Sequence, residues 1–63
     1  MKKAQQKWIP FIDVECSDGR VRVYEASKKP YCERTAKKAA RIMREEHQAI
    51  GGDVLVTGIE KAE

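Results

Sequence analysis

The chain has 63 residues, 41% of them apolar, 37% charged and 6% aromatic, and its 13 Lys and Arg against 10 Asp and Glu leave a formal charge of +3. A chain this short builds one small core, which argues for a single domain over residues 1–63 and against an enzyme with a deep substrate cleft. No apolar run approaches the ~20 residues of a membrane span. Nor does an apolar segment follow Lys2 and Lys3, so the sequence predicts a cytoplasmic protein without a secretory signal and with free thiols at Cys16 and Cys32.

Residues 1–6 are polar and are expected to fray. Trp8 to Cys16 reads as a strand, because Ile12, Val14 and Cys16 alternate with Asp13 and Glu15. Pro10 near its start is tolerable where a central proline would not be. Asp18-Gly19 is a hairpin signal, and Val21 to Ala26 is the return strand. A two-residue loop at Asp18-Gly19 would set Cys16 opposite Val21, Val14 opposite Val23, Glu15 opposite Arg22 and Asp13 opposite Tyr24. Apolar then meets apolar and acid meets base.

Pro30 is placed to open a helix over residues 32 to about 50. Cys32, Ala36, Ala39, Ala40, Met43 and Ile50 form one apolar stripe roughly 100° wide, and Gly51-Gly52 stops the helix. Asp53 to Ile59 is a third strand, with Val54 and Val56 on one side and Leu55, Thr57 and Ile59 on the other; residues 60–63 are expected to fray. Two strands, a helix and a strand with a right-handed crossover give an α+β fold, a ββαβ domain whose three-stranded sheet has the order 2-1-3 and one helix on one face.

The modest net charge hides an asymmetry. From Lys28 to Arg44 seven cations (Lys28, Lys29, Arg34, Lys37, Lys38, Arg41 and Arg44) stand against the single anion Glu33, while the chain outside this segment and residues 1–7 is net acidic. Most of these cations fall on the helix side away from the apolar stripe. Arg34–Lys38 and Lys37–Arg41 are like-charge pairs four residues apart, each costing roughly 0.2–0.5 kcal/mol in an isolated helix. An anionic partner, either nucleic acid or an acidic protein surface, would relieve that repulsion. A solvated helix face is the alternative reading of the same residues. A second candidate surface is the sheet face opposite the helix. There Ile9, Phe11, Tyr24, Leu55 and Ile59 are expected to form an uncovered apolar patch, serving as a homodimer seam or docking another protein.

Chemistry-bearing constellations are sparse. Cys16 and Cys32 fall on expected core-facing positions, and with His47 they fall short of the four ligands of a structural zinc site. Gly51-Gly52 ends a helix and so is no phosphate loop. The expectation is a non-enzyme with no cofactor, no metal and no small-molecule substrate.

Two stretches carry resemblances. Asp18-Gly19-Arg20 in a hairpin, followed by a helix opening Thr35-Ala36-Lys37-Lys38-Ala39-Ala40, resembles the arm-type DNA-binding domain of phage and transposon integrases, which reads DNA with its sheet face. This chain departs from it by adding a strand after the helix and by an acidic outer hairpin face. Lys37 to Gly58, an alanine-rich helix leading through Gly51-Gly52 into Val54-Leu55-Val56-Thr57-Gly58, resembles a small bacterial domain family of unknown function and implies the same fold. Two functions are compatible with these features. One is a nucleic-acid-associated accessory protein that places its basic helix face on phosphates. The other is a phage or mobile-element inhibitor or regulator, for example anti-CRISPR-like, that binds a host protein complex through the basic helix and the apolar sheet face.

Overall fold

The computed structural model describes residues 6–25 and 29–62. Strands β1 (Trp8–Cys16) and β2 (Gly19–Tyr24) form a hairpin, helix α1 (Glu33–Ala49) follows, and strand β3 (Val54–Lys61) closes the chain. The sheet order is β2-β1-β3, with β1 antiparallel to both neighbours. This is the α+β architecture expected from the alternation of apolar residues. The central strand has both edges satisfied and is the most buried: Pro10, Phe11, Ile12, Asp13 and Val14 are all shielded from solvent. Of the expected return strand, Ala26 lies outside the described residues.

The hairpin register differs from the expected one by two residues. The turn is Ser17-Asp18, and Gly19, at φ 123°, takes the left-handed position immediately after it. Val14 therefore pairs with Val21, Ile12 with Val23, Glu15 with Arg20, Asp13 with Arg22 and Phe11 with Tyr24. A shift of two leaves every side chain on its face, because the strand period is two. What changes is the cross-strand neighbour, and Asp13 gains an arginine.

The ends of the sheet are tied. Trp8 and Tyr31 exchange both backbone hydrogen bonds, Trp8 N–H to Tyr31 O at 2.7 Å and Tyr31 N–H to Trp8 O at 2.8 Å. Tyr31 thus takes up the edge of β1 beyond Tyr24, and its hydroxyl donates to Glu25 Oε1 at 2.8 Å. On the other edge Ala62 N–H donates to Lys7 O at 2.9 Å. The tail expected to fray from residue 60 instead continues as β3 through Lys61, since Trp8 and Ile9 offer it backbone partners.

Helix α1 begins after Cys32, whose extended backbone (φ −66°, ψ 163°) makes it the N-cap residue. It ends at Ile50, followed by Gly51 at φ 89°, where the Gly51 and Gly52 N–H groups take up the last free carbonyls of Gln48 and His47. Pro30 sits ahead of the Tyr31 bridge, outside the first helical turn. Ala36 and Ala40, both fully buried, let α1 lie close on Ile12 and Val14. Burying those two β1 side chains contributes about 1.5–3 kcal/mol each. Among the described residues α1 packs over β1 and β3 and not over β2. That offset leaves one flank of the helix and the helix-side face of β2 uncovered.

Candidate functional site

The basic helix face forms as a surface in its N-terminal half. Arg34, Lys37, Lys38 and Arg41 are all exposed and, with Cys32 and Glu33, line one shallow open groove. They converge because spacings of three and four residues return to one side of a helix whose opposite side is anchored by Ala36 and Ala40. Among the described residues Lys37 is the only one of the four with a carboxylate partner, Glu33 at 3.2 Å, four residues before it. Both of its members are more than half exposed, so the pair is weak. Lys29 is exposed ahead of the helix, and Lys28 lies outside the described residues.

Arg44 does not join this group. It follows Ala36 and Ala40 at four-residue steps toward the packed side, is half-buried, and has a buried Nε without a hydrogen-bond partner among the described residues. The helical wheel places it at the margin between the two faces, and packing against the sheet decides which one it joins.

Cys32 joins the groove and not the core expected from its place in the apolar stripe. Core alignment assumed that residue 32 lies inside the helix; as the N-cap it points elsewhere, and its thiol is exposed. Cys16 is exposed as well, because β1 ends at the turn beyond the reach of α1. The Cys32 sulfur lies 3.3 Å from Thr35 Oγ1. That contact, together with the backbone N–H groups of Thr35 and Arg34 and the nearby charge of Lys7, holds the thiol below its ordinary pKa against the opposing effect of partial desolvation. Lys7 is exposed and immediately precedes Trp8, whose bridge to Tyr31 lies next to Cys32, so the positive surface runs from the helix onto the start of β1. Only the fold, through the Trp8–Tyr31 bridge, brings Lys7 and Cys32 together.

The outer sheet face is not the apolar patch expected. Ile9, Phe11 and Tyr24 do share it, but Ile59 pairs with Pro10 on the helix side and Leu55 is the extra residue of a β-bulge between Asp13–Val56 and Val14–Val54. The bulge restarts the alternation, so Val54 joins Thr57 and Ile59 on the helix side. At the centre of the outer face Arg22 covers Phe11, its guanidinium 3.8 Å from the ring centroid, and Phe11 is 7% exposed. Arg22 also bonds Asp13 through two nitrogens at 2.8 and 3.2 Å and Glu60 at 3.2 Å, and the Tyr24 hydroxyl donates to the same Glu60 oxygen at 3.1 Å. The Arg22 guanidinium holds the Asp13 carboxyl below its ordinary value despite its shielding from solvent, and Asp13 in turn raises the pKa of Arg22. Desolvation, then the contact with Glu60, raises that of Tyr24.

His47 packs against Gly52 at the helix end, and among the described residues no group of three His, Cys, Asp or Glu side chains is placed to hold a metal ion. Among the described residues no helix is long and apolar enough to cross a membrane. Comparison with protein-family models, curated proteins and solved structures finds no match to this chain.

Proposed function

We propose that this is a non-enzymatic binding protein whose ligand is the phosphate backbone of a nucleic acid, held by the N-terminal half of α1. The observation that carries this reading is the exposure of Arg34, Lys37, Lys38 and Arg41 around one groove with Glu33 as its only acid. Residues 34 to 41 span about 10 Å of helix axis, the length of roughly three nucleotides along one strand of a duplex. Lys7 adds a fifth cation at the helix start. Phosphate contacts of this kind position a protein without specifying sequence, so binding is sequence-independent. Five contacts give a slope of log K against log salt of about −4 to −5 on duplex DNA.

An acidic protein surface is the competing partner for the same cations. A protein–protein complex of useful affinity needs a desolvated apolar anchor beside its charged rim. The outer sheet face expected to supply that anchor carries the Arg22–Asp13–Glu60 network at its centre, and the basic groove itself is lined by no large apolar side chain, which favours the polyanion in that groove.

Fluorescence anisotropy with a labelled mixed-sequence DNA duplex at low salt tests the proposal. Wild-type protein should bind with the stated salt dependence, and the combined Arg34→Gln, Lys37→Gln, Arg41→Gln variant should lose binding while keeping its helical circular dichroism. Absence of binding by the wild type at low salt would remove the reading.

A further inference from the structure

We infer that the flank of α1 left uncovered over β2 is the seam of a homodimer, in which the α1 helices of two copies pack antiparallel across a two-fold axis at Ile42. This inference is independent of the polyanion reading. The flank borders a groove lined by Ile12, Val23, Ala39, Ile42, Met43 and Ile50, with Glu25 and Glu46 on its rims. Three large apolar side chains stand open on this side of the molecule: Val21 is 46% exposed, Ile42 45% and Ile50 81%. They are open because the helix covers only two of the three strands.

Charge order along the helix argues that the occupant is a second copy. The N-terminal half of α1 is basic, through Arg34, Lys37, Lys38 and Arg41, and Glu45 and Glu46 lie in its C-terminal half. Ile42 is one residue from the midpoint of a helix running from 33 to 49. A two-fold axis there overlaps nearly the whole helix and sets each residue level with the one equally far on the other side of Ile42, while each flank of α1 stays on its own side of the seam. Lys38, on the basic-groove flank, then meets Glu45 of the second copy on the same flank, and Glu45 meets its Lys38, giving two symmetric ion pairs around an Ile42–Ile42 contact. Thr35 faces Ala49 of the second copy, and these small side chains suit an interaxial distance of about 8–10 Å. A parallel arrangement would set like charges together. Of the polyanion-binding cations only Lys38 borders the seam, so Arg34, Lys37 and Arg41 stay accessible.

Two measurements on the full chain test this. Sedimentation equilibrium of the wild type should give a concentration-dependent mass approaching twice the 7.2 kDa of one chain. Lys38→Glu and Glu45→Lys should each weaken association about fivefold, and the double exchange should restore it. In a Cys16→Ser, Cys32→Ser background, Ile42→Cys should cross-link to itself under mild oxidation in native buffer, and Lys37→Cys in the same background should not. A monomer at every concentration up to about 1 mM would overturn the inference. So would equal cross-linking at both positions, a double exchange no better than the singles, or a monomer whose groove accepts only a foreign helix.

Discussion

The guanidinium carbon of Arg22 lies over the ring of Phe11, 3.8 Å from its centroid, while two of its nitrogens grip Asp13. One side chain thereby shields an aromatic ring on the outer sheet face and neutralises a carboxylate that is only 6% exposed. Phe11→Ala should cost about 3 kcal/mol in urea denaturation, as deletion of a well-packed ring does. Arg22→Ala should also destabilise, because it uncovers the ring and leaves Asp13 shielded without its counter-ion. A denaturation midpoint unchanged by Arg22→Ala would show that the network is ornamental to stability.

The same pair sets an acid response. The folded Asp13 carboxyl titrates below its unfolded value of 3.8, so its contribution is complete above that value and is lost as pH falls through the lower folded one. Thermal unfolding measured from neutral pH down to about pH 2 should show a loss on the acid side that Asp13→Asn largely removes. An Asp13→Asn profile parallel to the wild type's would place the acid sensitivity elsewhere.

Gly58 faces Phe11 across β1 and β3, and a Cβ built at Gly58 comes within 3.0 Å of the ring's Cζ. The ring cannot retreat outward because Arg22 covers it. Gly58→Ala should therefore destabilise the fold by about 1–3 kcal/mol, the usual cost of overpacking. Combining it with Phe11→Leu should recover part of that loss, and a fully additive double variant would contradict the proposed clash.

Thr35 tunes the Cys32 thiol. Its hydroxyl is the leading cause of the lowered pKa, so Thr35→Ala should move the pH midpoint of iodoacetamide alkylation at Cys32 upward. Mass spectrometry resolves Cys32 from Cys16, and an unmoved midpoint would assign the thiolate's stability to the backbone amides alone.

The fold was legible wherever periodicity alone decides. Alternation in Trp8–Cys16, the stripe of Ala36, Ala40 and Met43 and the stop at Gly51 all depend on local spacing, and each element formed within a few residues of its expected bounds. What was illegible depends on one residue's choice among near-equal geometries. Gly19 can serve as the second turn residue or as the residue after the turn, and both preserve the faces; only the second puts Asp13 opposite Arg22. A bulge at Leu55 has no sequence signature, yet it moves Val54 to the other side of the sheet. The covering of Phe11 by Arg22 and the closeness of Lys7 to Cys32 join residues whose proximity only the closed sheet creates. Arg44 shows the same limit on the helix, at a wheel position that suits either face.

Nitrogen-15 heteronuclear NMR of the full chain during titration with a short DNA duplex at low salt decides whether the N-terminal half of α1 holds the polyanion. Shifts should concentrate at Lys7 and from Cys32 to Arg41, and should vanish as salt is raised. Shifts centred instead on Arg20, Arg22 and Tyr24 of the outer sheet face, or an unchanged spectrum at saturating duplex, would contradict it.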